Sequence, residues 1–352
     1  MGRQFLSSIG ALAVVIAVAS TAPISVAGQG PASAAKASAG AKKWTPPRTS
    51  DGQPDLQGVW EFATITPMER PKELAGKQVL TAEEAAEFEV EHNRRENRDL
   101  IDPEKGGSIY PPGAVVPYNE FWYDRGSKVV GTRRTSLIVD PADGRIPPLT
   151  PEAQKRQDAL AVAQREDQLP GGHPHADSWE DRSVTDRCIL GFNSGPPMVP
   201  GAYNNNVQIF QSPEYVVIHN EMNHNARIVP LDGRPHLTQQ LRPWAGDSRG
   251  RWEGNTLVVD TRNFFRETSL RGSGANTHLV ERFTRVDPDT IDYEFTVDDS
   301  TTWTSPWTAS FPLTKSRSQL FEYACHEGNY ALKGILAGAR AQENAEEASR
   351  KK

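Results

Sequence analysis

Apolar and polar positions alternate with a period of two over much of the chain beyond Tyr203, the pattern of strands with one buried face. The clearest case sets Ile291, Tyr293, Phe295 and Val297 against Asp292, Glu294, Thr296 and Asp298. Leu279 to Val286 precedes it across Asp287-Pro288-Asp289-Thr290, a turn sequence, so the two segments predict a hairpin. Further strands are predicted at 206–211, 214–222, 226–231, 256–261, 307–313 and 319–326. Arg134 to Asp140 followed by Asp143-Gly144 resembles Arg227 to Leu231 followed by Asp232-Gly233, the same hairpin chemistry at two places. Sequential antiparallel strands with one apolar face each must stack as two sheets or close on themselves. The expectation is a mainly β fold, an antiparallel meander closing as a lipocalin-like barrel, with a sandwich as the second choice.

Two N-terminal helices and one C-terminal helix interrupt this pattern. Thr81 stands three residues before Glu84, with Leu80 ahead of it, a capping box that predicts a helix over 82–97. Thr150-Pro151-Glu152 repeats the device with proline at the first helical position, and the helix carries on to about Gln164. Leu332, Ile335, Leu336 and Ala339 recur at helical spacing within Asn329 to Gln342, predicting a helix against the sheet and a charged tail that frays beyond it. The chain thus divides into a helix-containing segment at 44–166 packed on the barrel, a long loop at 167–205, a barrel core at 206–328, and a helix with tail at 329–352. The loop has no sustained period, yet Trp179, Cys188 and Phe192 favour an ordered segment pinned to the body.

The N-terminus changes the compartment. Residues 1–27 carry one cation, Arg3, an apolar stretch from Ile9 to Ala19, and Ser25-Val26-Ala27 with small residues at a cleavage position, the layout of a secretory signal peptide. Cleavage after Ala27 is the first choice and Ser20-Thr21-Ala22 the second. The apolar run falls short of the ~20 residues that a spanning helix needs. Residues 28–43 are small and polar, the composition of a flexible tether. A periplasmic or extracellular location and no stable membrane insertion of the mature chain are expected. In that setting Cys188 and Cys325, the two cysteines of the chain, pair most simply as a disulfide; buried free thiols, or a thiolate beside His326, are the alternatives.

Composition narrows the function classes. Of 352 residues, 28 are glycine and 27 proline, which argues for many short elements and against a helical bundle. The formal charge of -6 argues against nucleic acid or anionic lipid as a partner, since both need a cationic face. No serine elbow, dinucleotide fingerprint or cysteine-based metal motif occurs, so no cofactor is implied and no metal ligands are assigned.

The densest polar cluster is His219-Asn220-Glu221-Met222-Asn223-His224-Asn225-Ala226-Arg227. It reads as a solvated hairpin end, as a metal site, or as a pocket at the barrel mouth in which Glu221 and His224 transfer protons and Arg227 holds an anion. His326 and Glu327 are further acid/base candidates near the last predicted strand. Asn204, Asn205 and Asn206 offer amides to sugar hydroxyls or carboxylates, or simply end a loop. On the strand at 278, His278 and Arg282 share a face while Glu281 points away, making the first two ligand-binding candidates. Trp252, like Trp244, Trp303 and Trp307, lies near a loop end, where it either stacks on a ligand or plugs the barrel.

Several segments together resemble a large family of uncharacterised exported bacterial proteins. They are Asp51 to Trp60, Tyr203-Asn204-Asn205-Asn206, Glu221 to Arg227, Gly246 to Gly254 and Tyr323 to Tyr330. The resemblance covers Thr45 to Ala339 and implies no catalytic role, since the family has no established activity. Members commonly carry aspartate where this chain has Asn225. The functional expectation is an exported protein whose pocket binds or transforms a small organic molecule, by acid/base chemistry where it is enzymatic. A non-catalytic glycan-binding or envelope-associated module and a metal-dependent enzyme are the alternatives.

Overall fold

The alternating segments pair as expected over most of their length. The structure is a computed structural model, and it describes residues 44–351 apart from 108, 109, 114, 115, 117, 169–175 and 269. The signal peptide and tether expected at 1–43 therefore lie outside the described residues, as does part of the long loop. The strands are β1 (Gly58–Glu61), β2 (Ile138–Asp140), β3 (Asn206–Gln211), β4 (Tyr215–Asn220), β5 (Ala226–Pro230), β6 (Asp247–Glu253), β7 (Thr256–Arg262), β8 (His278–Asp287), β9 (Thr290–Asp298) and β10 (Trp307–Lys315). The helices are α1 (Ala82–Glu96), α2 (Pro151–Gln168) and α3 (Tyr330–Arg350). Trp44–Lys352 forms one compact unit, and among the described residues no helix is long and apolar enough to cross a membrane.

The hydrogen-bonded order is β5-β4-β3-β1-β10-β9-β8-β7-β6, all antiparallel, with β2 added beside β10. Nine strands thus make a nearly closed barrel with one seam, between β5 and β6. The order departs from a single meander at one place, because β1 from the start of the domain bridges β3 and β10. Two meanders, β3-β4-β5 and β6 through β10, are joined by a strand that is remote from both in sequence.

The interior is filled with side chains. Trp60, Val207, Ile209, Ile218, Leu279, Phe283, Tyr293, Phe295, Trp307 and Phe311 are all essentially inaccessible to water, each contributing about 1.5–3 kcal/mol of burial. Trp303 and Trp307 meet edge to face at 5.6 Å in this core, so they plug the barrel. Trp252 also turns inward against the core, where its indole Nε1 is buried without a partner, so it is not a ligand platform.

Across the seam the strands approach too closely for ordinary side chains. A carbon added to Gly250 of β6 would lie 2.7 Å from Leu231 Cδ2 and 2.8 Å from Val229 Cγ1. This explains why β6, with Ser248, Gly250 and Trp252 on its inner face, has no legible apolar alternation. The backbone ladder stops here, and an ion pair continues the connection. Arg227 of β5 grips Glu281 of β8 with both guanidinium arms, one of them at 2.9 Å to Oε1, and Glu281 is fully buried. The Tyr293 hydroxyl donates to Glu281 Oε1 at 2.7 Å and accepts from the Met198 amide at 3.1 Å. Burial alone would discharge Arg227, but the Glu281 charge outweighs it and holds the guanidinium protonated. Burial and then the same carboxylate push the Tyr293 phenol well up, so it remains a donor. The expectation that Arg227 binds a ligand anion is thereby overturned: its anion is Glu281, inside the barrel.

Local signals hold for the helices. Thr81 Oγ1 accepts from the Glu84 amide at 3.2 Å while the Thr81 amide donates to Glu84 Oε2 at 2.9 Å, closing the box that starts α1. Thr150 Oγ1 accepts from the Ala153 amide at 3.2 Å ahead of α2. Two expectations fail at the other end. The tail expected to fray continues α3 to Arg350, and 319–326 is not a strand. β1 and β2 already occupy the free side of β10, so this last segment finds no ladder partner there.

Because the pair is desolvated, leaving one charge alone is worse than leaving neither. Glu281→Gln is expected to cost about 3–5 kcal/mol, and Arg227→Met with Glu281→Leu to recover most of that loss. Urea unfolding followed by tryptophan fluorescence measures both. A single variant with an unchanged midpoint would remove the pair from its structural role.

Candidate functional site

One end of the barrel opens into a cavity of about 480 Å³. Three pieces of chain build it. The first is the run Tyr118 to Asp124, whose Glu120–Trp122 stretch makes one 3-10 turn. The second is Tyr203 to Asn206 leading into β3, together with Glu221 at the end of β4. The third is Ser318 to Tyr323, the segment that leaves β10 without a strand partner.

Glu221 sits at the junction of all three and is only 3% exposed. Its amide donates to the Asn206 carbonyl at 3.0 Å, prolonging the β3–β4 ladder by one bond. Its Oε2 accepts from Asn206 Nδ2 at 2.8 Å, and its Oε1 accepts from the Phe321 amide at 3.0 Å. The carboxylate therefore holds the third wall in place as well as lining the cavity. That bond also explains the failed strand, since the Phe321 amide is committed to a side chain.

Aromatic rings supply most of the remaining wall. Tyr203 stacks on Tyr323 with centroids 6.3 Å apart and meets Tyr123 at 6.2 Å and Phe192 at 5.3 Å edge to face. Burial, then Tyr323, push the Tyr203 phenol up, keeping it a neutral hydrogen-bond donor. Trp122 and Phe321 are 63% and 60% exposed, so their ring faces stand open at the mouth. Asp124 is the second carboxylate of the lining. Partial burial of its carboxyl, then the charge of Glu221, push it up, although amides of Asn204 and Asn205 hydrogen-bond it.

The expected site residues separate. Asn204, whose φ of +55° is left-handed, and Asn206 line the cavity with Glu221. Asn205 is fully buried and braces the loop instead, donating to the carbonyls of Asp124 at 3.1 Å and Gly201 at 3.0 Å and accepting from the Gly201 amide at 2.7 Å. His224 is outside the lining and packs on His219, rings 5.4 Å apart, where burial and then His224 lower the His219 value. His326 and Glu327 are exposed in the turn before α3. The carboxylate that shares the cavity lining with Glu221 is thus Asp124, and His224 is not part of that lining. Asn225 also lies outside the cavity: its Oδ1 accepts from Ser194 Oγ at 2.8 Å and the Gly191 amide at 3.2 Å, contacts that an aspartate would keep.

His278 and Arg282 lie on the outer wall of β8. His278 Nε2 is 2.8 Å from Asp260 Oδ2, and Arg282 Nη2 donates to Glu253 Oε2 at 2.9 Å. His236 bridges Asp247 at 2.9 Å and Asp260 at 3.0 Å, and Asp247 also accepts from the Leu237 amide at 2.8 Å. This network fixes the 231–246 segment to β6 and β7. Despite partial burial, hydrogen bonds from His278 and Arg262 hold Asp260 well below the usual carboxylate range. Among the described residues no group of three or more His, Cys, Asp or Glu is arranged to hold a metal ion.

Cys188 and Cys325 form a disulfide across 137 residues, tying the long loop to the segment that walls the cavity. Asn329 reinforces the tie, donating to the Asp186 carbonyl at 2.7 Å while its Oδ1 caps α3 at the Leu332 amide, 3.2 Å away.

Sequence reasoning missed Tyr118, Trp122, Tyr123, Asp124 and Phe321. A signal was present: 118–124 holds four aromatic residues in seven, with no helical or strand period that would place them in a core. No protein-family model matches the chain, and no curated protein matches it significantly. The functional reading therefore rests on this geometry.

Replacing both cysteines by serine is expected to cost about 2–5 kcal/mol and to speed hydrogen exchange at the Phe321 amide. Unchanged exchange there would show that Glu221 alone secures the wall. The Asp260 contribution is complete above the unfolded-state carboxylate value of about 3.9 and is lost as pH falls through its lower folded value. Urea midpoints measured from pH 5 to pH 2 should fall more steeply for the wild type than for Asp260→Asn; parallel curves would contradict this.

Proposed function

We propose that this is an exported protein that binds a small organic molecule in the cavity at the barrel end. The cavity carries this reading: its volume is in the range of small-molecule sites, half of its lining residues are aromatic, and polar groups converge among them. The lipocalin-like expectation is retained as a role and not as a site, with the ligand at the mouth because aromatic side chains fill the interior. The N-terminal pattern and the disulfide support export, since such bonds persist in oxidising compartments. Where the bound molecule reacts, Asp124 and Glu221 are the groups that exchange protons with it. Burial pushes the Asp124 carboxyl up, which makes its carboxylate a stronger base than an ordinary aspartate.

The exposed faces of Tyr118, Phe121 and Trp122, at 54%, 82% and 63%, favour a second reading in which a sugar stacks at the mouth. Saturation-transfer NMR against a panel of aromatic, heterocyclic and carbohydrate ligands tests the proposal. Binding is expected, with at least about tenfold loss in Trp122→Ala and Tyr203→Ala and no change in either variant's fold by near-ultraviolet circular dichroism. A panel without a single binder, or binders indifferent to both substitutions, would remove the cavity from consideration.

A further inference from the structure

Resting on that cavity as the binding site, we infer that its ligand is an organic cation, an alkylated or protonated amine held against the aromatic rings and the two carboxylates of the lining. The charge inventory is one-sided. Asp124 and Glu221 both line the cavity, and among the described residues no lysine, arginine or histidine does. Neither carboxylate makes an ion pair among the described residues. Glu221 accepts two hydrogen bonds, from Asn206 and the Phe321 amide, and both donors are uncharged. The neighbouring arginines do not supply the missing charge. Arg125 is paired with Glu120 at 3.0 Å and Arg98 with Glu96 at 3.6 Å.

One ring of the same lining, Tyr123, already receives cations. The Arg98 guanidinium lies between the rings of Tyr110 and Tyr123, 5.3 and 5.2 Å from their centroids, and that of Arg125 lies 4.5 Å from Tyr123. Facing the cavity, Trp122, Tyr203, Tyr323 and Phe321 present further rings beside two carboxylates, and ring faces attract cations more strongly as water is excluded. A cation entering there relieves the repulsion between Asp124 and Glu221. An anion would add to that repulsion, and a neutral ligand would leave it unchanged.

Phenyltrimethylammonium and its uncharged isostere tert-butylbenzene separate charge from shape. The cation is expected to bind about tenfold more tightly than the isostere. Asp124→Asn or Glu221→Gln should each reduce that preference several-fold while retaining the wild-type fold by circular dichroism. Asp124→Asn is the milder change, because Asp124, unlike Glu221, does not secure the third wall. Equal affinity for the two probes, or a preference unmoved by both substitutions, would overturn the cation inference and leave the cavity standing as a site for neutral molecules. If neither probe binds, the cation inference is overturned. The cavity reading falls with it only when the wider panel above also yields no binder.

Discussion

The Arg227–Glu281 pair is the constraint on which the rest of the barrel depends. Backbone hydrogen bonds run without interruption from β5 round to β6 and then stop, so closure relies on side chains. Arg227 leaves one edge strand and reaches Glu281 on β8, the third strand counted from the other edge, spanning the seam where Gly250 lets β5 and β6 approach. Taking both charges out of water is unfavourable unless their remaining bonding capacity is met. Tyr293 meets part of it, and through the Met198 amide it draws the long loop onto the barrel. One network thereby closes the sheet, orients a core phenol and anchors the principal loop.

The cavity is a consequence of the same closure. Arg227 pairs in register with Ile218, one layer inside the barrel end that bears Asn220 and Glu221. With that layer fixed, the end of β4 and the start of β3 become a rigid floor. The pieces outside the strands, 118–124 and 318–323, are then attached to it through the Asn205 side chain and the Glu221 carboxylate. The disulfide adds a covalent restraint at the far end of the second piece. On the binding reading proposed above, a carboxylate that both lines the cavity and holds its wall links ligand contact to the conformation of that wall.

Much of the architecture was legible because its causes are local. Capping residues, a proline at a helix start, turn sequences and period-two alternation act within a few residues, so α1, α2, the β8–β9 hairpin and the β3–β4–β5 meander could be read directly. β1 and β6 could not. Both carry few apolar residues, and their place is set by partners distant in sequence. The segment at 319–326 misled for a related reason: its composition suits a strand, but the neighbouring edge of β10 was already taken and its amide bonds a carboxylate.

The candidate site divides along the same line. The sequence by itself determined that the chain is acidic, mainly β, furnished with an export-type N-terminus and two cysteines suited to pairing, and that Glu221 and the asparagines beside it are concentrated at strand ends. Only the tertiary structure decided that Glu221 shares a cavity lining with Asp124 and not with His224, that Arg227 belongs to the core, that His278 and Arg282 face outward, and that a cluster of aromatic residues before α2 walls a cavity. Residue type and spacing encode which groups a short segment can offer. Which of those groups meet is decided by strand register and by burial between segments remote in sequence, and no local pattern carries that information.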